Sequence, residues 1–254
     1  MREKKSSLAK ALEILLLFDE TKSELGITEI SNYLKIPPST VYRLVSTLAK
    51  MRFLSQDKNT KKYKLGTIFL KLANIMKSNL KLINISYPYM KELSRLTQET
   101  THLNIIDGYE RVCIESIESN QPLMARMTVG SRSPLYAGAS SKCLLAFSSD
   151  EFISEYLNKV TLIPITQNTI TDKDKLLKEL YEIRKKGYAI SLSERNHHLG
   201  AVSAPVFGYN RTLIAALSIA VPEIRFKDKV LREKYIKDTV SVASKLSSAF
   251  GYDS

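Results

Sequence analysis

The sequence predicts an α+β chain in two parts, a small helical unit closed by a hairpin and a larger unit on a mostly antiparallel sheet. Three observations carry this expectation. The first fifty residues hold three short helical periodicities, interrupted by the paired prolines Pro37 and Pro38. Two short strand-like runs then flank a polar, lysine-rich turn. Beyond residue 100, strand runs joined by turn residues alternate with amphipathic helical windows, and 254 residues suffice for both parts.

In the first part, Leu8, Ala11, Leu12 and Leu15 share one helical face, predicting a helix over residues 7–18. Thr28 is the expected N-cap of a short second helix with Ile30 and Leu34 inward. After Lys35-Ile36-Pro37-Pro38, a third helix over residues 39–50 has Val41, Leu44, Val45 and Leu48 as its apolar stripe. Its other side carries Ser39, Arg43, Ser46 and Lys50, flanked by Thr40, Tyr42 and Thr47, with no carboxylate. Strands at 53–56 and 63–65 enclose a turn containing Lys58, Lys61 and Lys62. Helix, short helix, tight turn, helix and basic hairpin is the order of a winged helix-turn-helix, whose last helix enters the DNA major groove while the hairpin meets flanking phosphates.

The charge distribution agrees. Of a net +12, residues 1–81 hold 16 Lys/Arg against 7 Asp/Glu, and residues 82–254 hold 22 against 19. A solubilising lysine excess would give the same total, but not an acid-free face on one helix.

Phe69, Leu72, Ala73, Met76, Leu80 and Ile83 then predict a linker helix over 67–84, with an apolar seam suited to dimerisation. A helix over 88–99 follows, then a hairpin turning at Asp107-Gly108. Further strands are expected at 122–127, 188–192, 201–207 and 212–221, and helices at 140–147, 171–186 and 228–250. The expected domains are 1–66, 67–84 and 85–254.

Hydrophobic residues at 44% and charged residues at 25% fit a globular chain rather than a disordered or fibrous one. The longest uncharged apolar run, residues 212–222, is too short to span a membrane. Lys10 and Glu13 interrupt what would be a signal-peptide core, so a cytoplasmic protein is expected. Cys113 and Cys143 are the only cysteines, which argues against a disulfide framework or a cysteine-rich zinc site. No cofactor motif is present: there is no G-x-G-x-x-G, Walker A loop, H-E-x-x-H or G-x-S-x-G. His197 and His198 read as solvent-facing loop residues. One enzyme reading stays open, a cysteine-dependent acyl-transfer enzyme with an appended nucleic-acid-binding module, using Cys143 and a histidine. Against it, Cys143 among Leu144, Leu145 and Ala146 reads as a buried helix residue.

Residues 7–15 (SLAKALEIL), Thr28-Glu29-Ile30 and Ser39-Thr40-Val41-Tyr42-Arg43-Leu44 resemble the DNA-binding half of the IclR family of transcriptional regulators. Lys142-Cys143-Leu144-Leu145-Ala146, Gly187-Tyr188-Ala189, Glu194 and Ser203-Ala204-Pro205-Val206 are similar to motifs of that family's C-terminal half, in the same order. The resemblance implies a GAF-like effector-binding domain after the linker helix, and a homodimer or dimer of dimers on a pseudo-palindromic operator. The implied effector positions include Ser191, Glu194, Ala201, Ser218 and Ala220. Ser141, Ser191, Ala201 and Ala220 depart from the family pattern, so the ligand's identity does not carry over.

The residues themselves suggest a small organic acid. Ala137-Gly138-Ala139-Ser140-Ser141 is a run of small residues opening a helix, whose free N–H groups suit a carboxylate. Ser140 and Ser218 are expected to add hydroxyls, and Met124 and Met127 an adaptable apolar wall.

Overall fold

The computed structural model describes residues 6–19, 21–79 and 81–252, with the side chains of 76–79 left aside. The chain forms two compact units, Met1–Leu80 and Lys81–Ser254.

In the first unit, α1 (Ser7–Leu15), α2 (Ile27–Leu34) and α3 (Pro38–Lys50) precede the hairpin of β1 (Leu54–Gln56) and β2 (Tyr63–Leu65), and α4 (Ile68–Asn79) follows. Ile14, Ile30, Val41, Leu44, Val45, Leu48, Leu54 and Tyr63 form one core. Thr28 does not cap α2. The helix starts two residues earlier, with Gly26 as N-cap and the Glu29 carboxylate accepting the Gly26 N–H at 2.7 Å. Lys35, at φ 56°, turns the chain out of α2, and Pro38 occupies the first turn of α3, where a missing donor costs nothing.

The expected linker segment is helical on both sides of residue 80, which lies outside the described residues: α4 covers Ile68–Asn79 and α5 covers Lys81–Thr97. Met76 and Leu80, expected on its seam, lie outside the described side chains. No helix starts at Pro88, because α5 runs through it. A proline there forfeits one backbone hydrogen bond, at a cost of about 3 kcal/mol, while the helix is held by the buried Ile83, Met90 and Leu93.

The second unit continues with β3 (Thr100–Asp107), β4 (Glu110–Ile117), β5 (Arg132–Pro134), α6 (Ala139–Ala146), α7 (Asp150–Lys159) and α8 (Lys173–Lys186). Then come β6 (Ala189–Leu192), β7 (Leu199–Phe207), a 3₁₀ turn (Tyr209–Arg211), β8 (Leu213–Pro222), α9 (Glu223–Phe226) and α10 (Lys229–Ala249). The six-stranded sheet has the order β5-β4-β3-β8-β7-β6, and every pairing is antiparallel. Helices α6, α7 and α8 share a core with Leu135, Ala189 and Ala216. No helix of the described residues is long and apolar enough to cross a membrane.

Residues 122–127 are not a strand. Side chains, rather than a ladder, satisfy that segment: Thr100 Oγ1 donates to the Ala125 carbonyl at 2.6 Å and Arg225 donates to the Leu123 carbonyl at 2.8 Å. Helix α7 and strand β5 were not among the expected elements. The signal for α7 is nonetheless present, with Ser149 as N-cap and Ile153, Tyr156 and Leu157 as its buried stripe.

Candidate functional site

Two places bring functional side chains together, one in each unit. On α3, Ser39, Tyr42, Arg43, Thr47 and Lys50 are exposed, and Thr40 and Ser46 are half-buried, opposite the buried stripe. The face is therefore separate from the packing. Thr47 Oγ1 donates to the Arg43 carbonyl at 3.0 Å, which leaves its oxygen free to accept.

In the hairpin, the Asp57 carboxylate accepts the N–H groups of Asn59 and Thr60 at 2.8 Å each, and these bonds hold its pKa below the usual carboxylate value. The turn is completed by Lys61 in the left-handed region, at φ 59°. Lys58 and Lys61 are exposed. Lys62 differs: its Nζ lies 3.3 Å from Glu29, so part of its charge is spent on α2.

The second place is a small cavity of about 40 Å³ at the start of α6. Among the expected residues, Met127, Ala139, Ser140, Ser191, Glu194, Ala201 and Ala220 line it. Met124 does not. It lies in a separate surface groove with Leu123, Leu199 and Ile224, because the 122–127 segment has no strand alternation to turn it inward. Ser218 is fully buried in β8, 2.7 Å from Ser203 Oγ and 3.3 Å from Asn104 Nδ2, and is absent from the cavity lining.

The helix start is not an open anion site. Gly138 N–H donates to Glu194 Oε2 at 3.1 Å, and Ala139 N–H donates to Ser191 Oγ at 3.0 Å. The second oxygen of Glu194 meets Lys142 Nζ at 2.7 Å, and Lys142, only 1% exposed, also reaches Glu179 at 2.9 Å. A buried lysine is tolerated on α6, whose eight residues are all buried, because two carboxylates converge on it. The protein's own carboxylate thus takes the position assigned to the ligand.

Two further lining residues matter: His102, which the sequence reading did not place at the cavity, and Arg195, which lies in the 191–200 segment expected there but was not singled out. His102, on β3, is 2% exposed, and its Nε2 has no protein partner. Burial holds its pKa down to about 4, so the ring is neutral at neutral pH. Arg195 is half-buried, has no carboxylate within ion-pair distance among the described residues, and lies with its Nη2 3.6 Å from Met127 Sδ. Neither stands out in sequence, since strand alternation does not say which polar residue meets a cavity and Arg195 is one arginine among many.

His197 and His198 are exposed, and His198 Nδ1 lies 3.0 Å from Glu223. Cys143 is fully buried beside the Ser203 hydroxyl, and burial pushes its thiol up to about 12. Cys113 is raised to about 12 in the same way. A thiol held neutral does not supply the nucleophile that the acyl-transfer alternative requires.

The comparisons with known proteins cover both units and give that alternative no support. The "IclR helix-turn-helix domain" model matches residues 7–58, and the "Bacterial transcriptional regulator IclR C-terminal" model matches residues 75–248. The HTH-type transcriptional regulator KipR of Bacillus subtilis is 36% identical over 99% of this chain and 100% of its own length. The crystal structure of Thermotoga maritima IclR is similar with a TM-score of 0.79 at 30% identity, covering 97% of this chain and 99% of that one. An IclR homologue from Microbacterium hydrocarbonoxydans, complexed with 4-hydroxybenzoate, shares the fold with a TM-score of 0.83 at 23% identity, covering 97% and 99%. Winged helix-turn-helix unit, antiparallel effector-type domain and full-length matches together identify the chain as a member of the IclR family of DNA-binding transcriptional regulators.

Proposed function

We propose that this regulator is a cytoplasmic protein whose affinity for its operator is set by a small organic acid bound in the cavity at the start of α6. The observation that carries this reading is the imbalance of the cavity lining. His102 Nε2, the Arg195 guanidinium and the Ser140 hydroxyl surround it, whereas its carboxylate, Glu194, is already engaged by Lys142 and Gly138. Surplus donors with buried surroundings suit an anion. The 4-hydroxybenzoate in the Microbacterium homologue supports the same class of ligand. At about 40 Å³ the cavity is water-sized, so an acid must displace Met127, a side chain flexible enough to move.

Operator contact is assigned to Ser39, Thr40, Tyr42, Arg43, Ser46, Thr47 and Lys50 on α3, with Lys58, Lys61 and, more weakly, Lys62 on the flanking phosphates. A homodimer or dimer of dimers on a pseudo-palindromic site follows, since one short helix reads too few base pairs to select a site in a genome. The exposed apolar residues Leu8, Leu12 and Leu16 on and after α1, with Leu70, Leu72 and Ile75 on α4, offer the seam. Sedimentation showing only a 28.7 kDa monomer at micromolar concentration overturns the dimer.

The regulatory reading is tested by fluorescence anisotropy on a footprinted upstream site, titrated with aliphatic, aromatic and sugar acids. A true effector changes operator affinity by the same factor by which operator changes effector affinity. Ser140→Trp, filling the cavity, should abolish the response. Acids that bind without moving the operator curve overturn it.

A further inference from the structure

The cavity is wired from behind by a buried polar chain. Arg111 is fully buried; its Nε donates to Ser133 Oγ at 2.9 Å and its Nη1 to Asn104 Oδ1 at 3.3 Å. A guanidinium only donates, so the Asn104 atom facing it must be the carbonyl oxygen. That orientation turns the Asn104 amide nitrogen toward His102 Nδ1 at 2.9 Å, with further acceptors at the Ala216 carbonyl and Ser218 Oγ, both 3.3 Å away. Asn104 Oδ1 is also 3.2 Å from His102 Nδ1, but the shorter contact, 2.9 Å, is to the amide nitrogen, a group that only donates.

With an N–H aimed at Nδ1, that nitrogen accepts. The single proton of the neutral imidazole then sits on Nε2, which faces the cavity without a protein partner. We propose, resting on the effector reading above, that His102 Nε2–H and Arg195 together orient the ligand's carboxylate, and that Arg111 acts through Asn104 as a positioning residue that fixes the His102 tautomer. With the Glu194 carboxylate engaged by Lys142 and Gly138, these two donors favour a carboxylate over the amide or alcohol of the same size. They replace the helix N-terminus, whose first N–H groups belong to Glu194 and Ser191.

The tautomer is readable without any ligand. Two-bond ¹H–¹⁵N spectra of the full-length protein should show His102 as the Nε2–H form at neutral pH, and Asn104→Asp, which offers Nδ1 an acceptor, should switch it to Nδ1–H. A wild-type Nδ1–H or doubly protonated ring overturns the wiring.

Calorimetry with 4-hydroxybenzoate and acetate, each against its amide, then tests the pair. Wild type should prefer the carboxylates by about tenfold or more, a difference of about 1.4 kcal/mol. Arg195→Met should erase that preference, His102→Phe should weaken carboxylate binding, and His102→Gln, which can place an N–H near the Nε2 position, should retain much of it. A preference unchanged in Arg195→Met, or no binding of either carboxylate to wild type, overturns the assignment. Preferential binding that leaves operator affinity unmoved upholds the pair and overturns the regulatory reading instead.

Discussion

The two units keep their polar chemistry on opposite sides of their surfaces. Among the described residues of the first unit no charged side chain is buried, and the groups assigned to DNA project from α3 and the hairpin away from a wholly apolar cluster. In the second unit charged and titratable groups are inside: Arg111 and Lys142 are buried, as is the neutral ring of His102, and Glu99 is buried between Arg225, at 2.6 and 2.8 Å, and the Tyr235 hydroxyl. Surface chemistry can change without disturbing packing. Chemistry placed inside must be paired, and its partners then belong to the fold as much as to the site.

Removing a buried partner should separate the two units most sharply. Lys142→Ala leaves Glu194 without its cation, and breaking such a pair costs roughly 3 to 5 kcal/mol; because Glu179 is about a third exposed, the lower end is expected. Urea unfolding of the wild type and variant checks this. A loss as small as that of a surface lysine would erase the contrast.

The next effect is one of pH. His102 has its pKa lowered from 6.5 to about 4 by burial, so the unfolded chain takes up the proton first as pH falls. Its contribution is complete above pH 6.5 and is lost progressively down to about pH 4, for at most about 3 kcal/mol at 1.36 kcal/mol per unit. Stability curves across that window should slope downward toward acid in wild type and flatten in His102→Gln.

On the other unit the expectation inverts. Arg43→Ala should cost about 1 to 3 kcal/mol of operator binding if the guanidinium meets a base edge, while unfolding stability changes by no more than about 0.5 kcal/mol. Equal losses on operator and random DNA would remove Arg43 from base recognition. Smallest of all, Lys61→Ala should leave specificity and stability alone and reduce the slope of log affinity against log salt by about one.

The same contrast explains what the sequence disclosed. Helix α3 was legible because half of it faces water, so its apolar stripe repeats at helical spacing and its outer face can be listed residue by residue. Helix α6 is buried on every side and has no such contrast between faces; its small-residue start located the cavity, but not the Glu194 and Ser191 contacts that occupy it. Long-range partners are invisible to spacing. His102 and Asn104 are two apart on one strand, yet their roles depend on Arg111 from the neighbouring strand, and Ser218 sits in the polar layer behind the cavity. Pro88 marked a boundary that tertiary packing overrode.

The two buried thiols have a practical side. Cys113 and Cys143 are shielded from solvent and held protonated well above neutral pH, so maleimides should ignore the native fold. A single cysteine placed at the hairpin tip, as in Asn59→Cys, would then be the dominant reactive sulfur in each molecule. A fluorophore there would report, in real time and on unmutated native thiols, when the hairpin meets a duplex and how an added acid changes that contact.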